Sequence, residues 1–142
     1  MPATIYFSGS ISGGREDVVL YRRIVEALER DGHRVLAGAV ASESVGATGE
    51  SLAPRDIFTR DMAWLGEATM VVAEVSTPST GVGYEIAVAR YLRRIPVICL
   101  YRPGRTARCS AMIAGDDGIR LLEYRADAIE DLLGQLSRAV RE

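Results

Sequence analysis

Apolar, β-branched runs and helical periodicities alternate from one end of the chain to the other. Thr4-Ile5-Tyr6-Phe7 predicts a first strand, followed by a Gly/Ser loop from Ser8 to Gly14. Tyr21, Ile24, Val25 and Leu28 recur at helical spacing and predict a helix from about Arg15 to Arg30, with Gly32 as its stop. His33 to Ala37 predicts a short second strand. The stretch from Ala39 to Pro54 is small, polar and glycine-containing, and reads as a long loop of the kind that is usually functional or mobile. A second helix is expected from Asp56 to Glu67, with Phe58, Met62 and Leu65 as its inward stripe. Met70 to Ala73 reads as a strand buried on both faces, Gly81 to Arg93 as a helix, and Pro96 to Tyr101 as a fourth strand. Arg102 to Ala114 is a loop in which a short helix fits, Ile119 to Tyr124 a fifth strand, and Ile129 to Val140 an amphipathic closing helix.

Strands separated by helices, with no internal repeat or linker, predict one α/β domain over residues 1–142. The expected architecture has three layers around a doubly wound, five-stranded parallel sheet of order 2-1-3-4-5, the flavodoxin-like arrangement. Ligands of such sheets sit beyond the carboxyl ends of the strands, at the switch point between strands 1 and 3. The loops after those two strands carry the most unusual sequence in the chain, which places the expected site there.

Composition narrows the chemistry. With 48% hydrophobic and 25% charged residues the chain reads as an ordinary soluble protein. No apolar stretch approaches the roughly 20 residues that span a bilayer, and MPATIYFSGS lacks a signal-peptide pattern. A cytoplasmic location and no membrane partner are expected. All 17 Lys+Arg positions are arginine, which removes a P-loop lysine, a Schiff-base lysine and a receiver-domain lysine. The single histidine, His33, sits beside a helix-ending glycine and reads as a surface residue. No zinc-spaced cluster and no Ser-His pair is present, and no metal or other cofactor is expected. Cys99 reads as a buried small hydrophobe and Cys109 as a polar-loop residue, with no disulfide framework. A net charge of -2 argues against a nucleic-acid polymer as partner, although backbone amides can still hold one phosphate. Catalysis must then rest on carboxylates, hydroxyls, arginines and amides.

Two strand-to-helix turns carry those groups. Ser8-Gly9-Ser10-Ile11-Ser12-Gly13-Gly14 combines glycines that admit an anion to the backbone with hydroxyl and amide donors. Ser79-Thr80-Gly81-Val82-Gly83-Tyr84-Glu85 does the same after the third strand. Glu85 lies about one turn into an otherwise apolar helix, and the residue three before it is Val82, so a capping box does not explain it. An unpaired carboxylate there is costly, which marks Glu85 as a catalytic candidate. Asp61 on the second helix is either a solvated charge or a second carboxylate facing Glu85. Two carboxyl groups about 5–5.5 Å apart can cleave a glycosidic bond with retention. Glu74 at the end of the third strand is the rival to Glu85 or else an arginine's partner. Arg15 is a candidate phosphate contact, and Ser110 heads a short apolar turn.

Four ordered blocks resemble the 2'-deoxynucleoside 5'-phosphate N-hydrolases of the nucleoside 2-deoxyribosyltransferase superfamily. They are Tyr6 to Ile11 with Gly13 to Asp17, then Asp61 to Leu65, then Val71 to Val75 with Pro78-Ser79 and Gly81 to Glu85, and finally Ser110 to Ile113. The resemblance implies Glu85 as nucleophile on the anomeric carbon of the sugar, giving a covalent intermediate, with Asp61 protonating the base and activating water. It implies Tyr6 against the sugar, and Gly9, Ser79 and Gly81 around the phosphate. Ser8, Ser10, Ile11, Gly14 and Arg15 from the first loop are implied at the substrate. Ser110 and Met112 belong to the last block, and the resemblance implies a homodimer in which Ser110 serves the neighbouring subunit's site. Ser12 stands where animal members are expected to carry arginine, and Ala39 near where they carry histidine, so base and sugar preference stay open. A ribonucleotide such as CMP, transfer of the sugar to a second base, and a flavodoxin-like FMN- or nucleotide-binding module are the alternatives.

Overall fold

The computed structural model of the chain describes residues 2–38 and 52–142. Ala39, and the loop expected from Ala39 to Pro54 as far as Ser51, lie outside the described residues. The elements run β1 (Thr4–Gly9), α1 (Gly14–Arg30), β2 (Arg34–Leu36), α2 (Pro54–Glu67), β3 (Met70–Glu74), α3 (Thr80–Ala87), β4 (Val97–Tyr101), α4 (Ala111–Ala114), β5 (Ile119–Glu123) and α5 (Ile129–Arg141). After Ala87 the helix widens into a π-helical turn, Val88–Arg93, and a left-handed Arg94 (φ 56°) ends it. Five parallel strands pair in the order β2-β1-β3-β4-β5, as the alternation of patterns predicts. β3 and β4 sit inside the sheet and are buried throughout, which is why they read as unbroken apolar runs.

Side-chain alternation along each strand divides the core in two. Ile5, Phe7, Val72, Ile98 and Leu100 pack under α1 and α5 against Tyr21, Ile24, Leu132 and Leu136. Tyr6, Val71, Ala73, Val97 and Cys99 pack on the other face against Leu65 of α2 and Val82 and Ile86 of α3. Close approach sets glycine at position 9, because a Cβ there would sit 2.8 Å from the ring of Tyr21. Tyr21 in turn packs edge-on against Phe7, with ring centroids 5.5 Å apart, and donates to the Ser10 carbonyl at 2.9 Å.

Two expectations need correction, and one open choice is settled. Phe58 points outward, 54% exposed, and meets the exposed Tyr84 edge-on at 6.4 Å, so only Leu65 of the predicted α2 stripe is fully buried, with Met62 half-buried. His33 is buried, not superficial: the Ala3 amide donates to its Nδ1 at 3.0 Å, tying the start of β1 to the start of β2. Glu74 takes the second of its two expected roles, that of an arginine's partner. It shares the face of Val72, away from α3, and is fully buried among Ser76, Tyr124 and Arg102.

That cluster is a closed polar network. The Ser76 amide and hydroxyl donate to Glu74 at 2.7 and 2.8 Å, Tyr124 Oη donates to Glu74 Oε2 at 2.5 Å, and Arg102 Nε donates to the same oxygen at 3.2 Å. Arg102 Nη2 also pairs with the fully buried Asp17 at the start of α1. Arg105 Nη2 lies 3.6 Å from Asp17 Oδ2 and donates to the Gly13 carbonyl and the Thr77 hydroxyl, so two buried acids meet two arginines. A Cβ at Gly13 would come within 1.7 Å of Asp17 Oδ2, so this turn admits only glycine. The network ties together the loops that follow β1, β3 and β4.

Removing one partner of a buried, hydrogen-bonded charge cluster strands the others, at about 3–5 kcal/mol. Arg102→Met is therefore expected to cost that much in urea unfolding. Arg120→Ala, which breaks the exposed pair with Glu142, is expected to stay within about 0.5 kcal/mol. Equal effects would contradict the assignment of Arg102 as the tie between the loops.

Candidate active site

Tyr6 and Ser8 lie two residues apart on β1, so both side chains leave the sheet on the α2/α3 face. There they converge on Glu85. Tyr6 Oη donates to Glu85 Oε2 at 2.5 Å and Ser8 Oγ donates to Oε1 at 2.7 Å, giving each carboxylate oxygen its own hydroxyl. Glu85 is presented by α3, whose start is fixed by Ser79: its Oγ accepts from the Val82 amide at 3.3 Å, a cap worth about 1 kcal/mol. The capping residue is thus six positions before Glu85, and the carboxylate is free of any capping duty.

Asp61 approaches from α2 and completes a cleft of about 170 Å³ whose walls include Tyr6, Ser8, Asp61 and Glu85. Burial raises the proton affinity of Glu85 above the ordinary carboxylate range; the hydroxyls of Ser8 and Tyr6 oppose the shift and the charge of Asp61 adds to it. Tyr6 is pushed upward by burial and by the neighbouring charges of Glu85 and Asp61, so its phenol stays a proton donor. The cleft therefore offers one half-buried carboxylate fixed by two donors, with a second acid opposite. Such an arrangement can attack an electrophilic carbon and exchange a proton with a leaving group.

The structure brings together most of the sequence-predicted residues. Tyr6, Ser8, Gly9, Ile11, Asp61, Ser79, Gly81 and Glu85 all line the cleft. Ser10, Gly14 and Arg15 do not: Ser10 is buried with its hydroxyl against that of Ser12 at 2.8 Å, and Arg15 is exposed on the first turn of α1. Ser110 and the exposed Met112 lie instead along a larger groove of about 830 Å³ between α3 and α4, which shares Ser79 and Val82 with the cleft. The sequence reading missed Ala37, Ile57, Arg60 and Val82 as cleft walls. The first, second and fourth are ordinary apolar side chains with no chemical signal, whereas Arg60 adjoins Asp61 and could have been found by that adjacency. Among the described residues no group of three or more His, Cys, Asp or Glu side chains could hold a metal ion.

Residues 5–127 match the family model described as nucleoside 2-deoxyribosyltransferase. The chain is 46% identical over 138 residues to the 5-hydroxymethyl-dUMP N-hydrolase of Mus musculus, covering 94% of this chain and 79% of that protein. The protein of the same name from Homo sapiens is 45% identical over 140 residues, covering 95% and 79%. Among solved structures, the CMP N-glycosidase of Clostridium botulinum superposes with a TM-score of 0.68 at 14% identity, over 95% of this chain and 98% of that one, a likeness of fold.

A carboxyl group that binds its proton more tightly folded than unfolded lowers stability as pH rises from its unfolded value, 4.5 for Glu85, through its folded one. Glu85→Gln is therefore expected to melt above the wild type at pH 8, with the gap shrinking towards pH 4. Thermal melts of both proteins across that range check it; a variant less stable at pH 8 would contradict the raised proton affinity.

Proposed function

The chain belongs to the nucleoside 2-deoxyribosyltransferase family, and from that premise we propose that it is an N-glycosidase of 2'-deoxynucleoside 5'-monophosphates. The products are free base and 2-deoxyribose 5-phosphate. The observation that carries the reading is the Glu85 carboxylate held by Tyr6 and Ser8 opposite Asp61. The mouse and human relatives, named as N-hydrolases of a deoxynucleoside monophosphate, support the substrate class.

In the proposed reaction substrate binding leaves the proton of the acid pair on Asp61; Glu85, ionised, attacks the anomeric carbon as the bond to the base breaks, and Asp61 delivers that proton to the departing base. A covalent ester between Glu85 and the sugar results. Asp61, now ionised, takes a proton from water, whose oxygen displaces Glu85 from the same carbon and restores the carboxylate. Two displacements retain the anomeric configuration. Tyr6 and Ser8 hold Glu85 with its lone pairs directed into the cleft and release it as charge leaves its oxygens. The 5'-phosphate fits beside Gly9 at the start of α3, where Ser79 can still donate its hydroxyl proton and the Gly81 region presents free amides. Binding energy from that remote group orients the sugar. Ser110 and Met112, set apart from the cleft along the α3/α4 groove, fit the further proposal that a second copy of the chain brings Ser110 to the phosphate.

Incubation with the four common deoxynucleoside monophosphates, 5-hydroxymethyl-dUMP, the matching ribonucleotides and free deoxycytidine, followed by chromatography for free base, tests the reading. Base release from deoxynucleotides that falls at least about 1,000-fold in Glu85→Ala is the expected result. Release from CMP alone would move the sugar preference to ribose. Preference for the free nucleoside would favour the transferase, and no release from any nucleotide by folded protein would overturn the proposal.

A further inference from the structure

Among the described residues, Arg60 is the one polar cleft wall whose chemistry the proposed reaction leaves unused. It precedes Asp61 on α2, and neighbours in a helix point about 100° apart, so their side chains do not ordinarily meet. Here they do. Arg60 Nε and Nη2 both lie 2.9 Å from the same oxygen, Asp61 Oδ1. The guanidinium reaches that position by folding along the helix over the ring of Trp64, 4.8 Å from its centroid and one turn on. Backbone closes the other side: a Cβ at Gly38 would sit 3.1 Å from both Arg60 Nη2 and Trp64 Cζ3, and Gly38 has a left-handed φ of 55°. The stack is therefore clamped between an indole and the chain leaving β2.

The degree of burial separates this pair from ordinary surface pairs. The Arg60 and Asp61 side chains are 26% and 18% exposed, against 49% and 56% for Arg120 and Glu142. A cation–π contact, with Nε donating to Oδ1 and Nη2 beside the same oxygen, restricts the rotation of the carboxyl group, which a flexible surface pair does not. It also engages Oδ1 of the carboxyl group.

We propose that Arg60 is the positioning residue of the site, holding the Asp61 carboxyl in the rotation from which it serves the leaving base and then the attacking water. This rests on the N-glycosidase reading and assigns a determinant of its rate. Lysine cannot take the place of Arg60, because a single ammonium neither sets two nitrogens against Oδ1 nor lies flat on Trp64.

The test is a cycle of Arg60→Gln and Arg60→Lys, each in the wild-type and Asp61→Asn backgrounds, with kcat and KM for a deoxynucleoside monophosphate and a thermal melt of each protein. In the wild-type background kcat is expected to fall roughly 10- to 100-fold for both Arg60 variants, with KM within about twofold. In the Asp61→Asn background neither substitution is expected to lower kcat further, because Arg60 acts through the group already lost. An equal loss in both backgrounds, a rise in KM at constant kcat, full rescue by lysine, or a loss explained by unfolding in the melt would each overturn the assignment. A wild-type protein that releases no base fails the reading beneath; an active wild type with equally active variants fails this inference alone.

Discussion

Two hydroxyls on one strand and one carboxylate on a helix set the terms for everything around them. On the proposed reading Glu85 must stay anchored in a half-dry cleft yet remain reactive, and an isolated carboxylate out of water is costly. Tyr6 and Ser8 offset that cost by giving one donor to each oxygen. Their spacing of two puts them on the same face of β1, and the sheet order puts β1 beside β3, whose following turn starts α3. If β1 were displaced by one residue, both donors would face α1 and Glu85 would be stranded.

The two faces of the sheet have accordingly taken different work. On the α2/α3 face, acids meet across an open cleft. On the α1/α5 face, Glu74 and Asp17 are enclosed with Arg102 and Arg105, and every buried side-chain polar atom among the described residues has a partner. The enclosed network holds the turns after β1, β3 and β4 in register, so the open one does not have to hold itself together. Glu74 and Glu85 look alike in sequence, but one serves to fix loops and the other is left available for chemistry.

Much of this was legible in the chain. The alternation of patterns predicted five strands and their order, and the Gly/Ser turns after β1 and β3 pointed to the switch point where the cleft lies. Glu85 stood out because an acid among Val, Ile and Ala has no cheap structural explanation. Glu74 was ambiguous because its fate depends on Arg102 and Tyr124, 28 and 50 residues away, a proximity that periodicity does not encode. Strand parity would have separated it from Glu85, since Val72 and Glu74 share a face with Phe7, whereas Tyr6 and Ser8 occupy the other. Phe58 shows the opposite failure: helical spacing marks it as inward, but the protein leaves it beside Tyr84 at the surface.

Covalent attachment of the sugar to Glu85 is the central claim, and it can be observed directly. Protein mixed with a slowly turning deoxynucleoside monophosphate, quenched in acid, digested and mapped by mass spectrometry should carry a deoxyribosyl phosphate group on the peptide containing Glu85. The adduct should vanish when the substrate is exhausted. Base release with no adduct at any time, or an adduct on Asp61 in its place, would contradict the account.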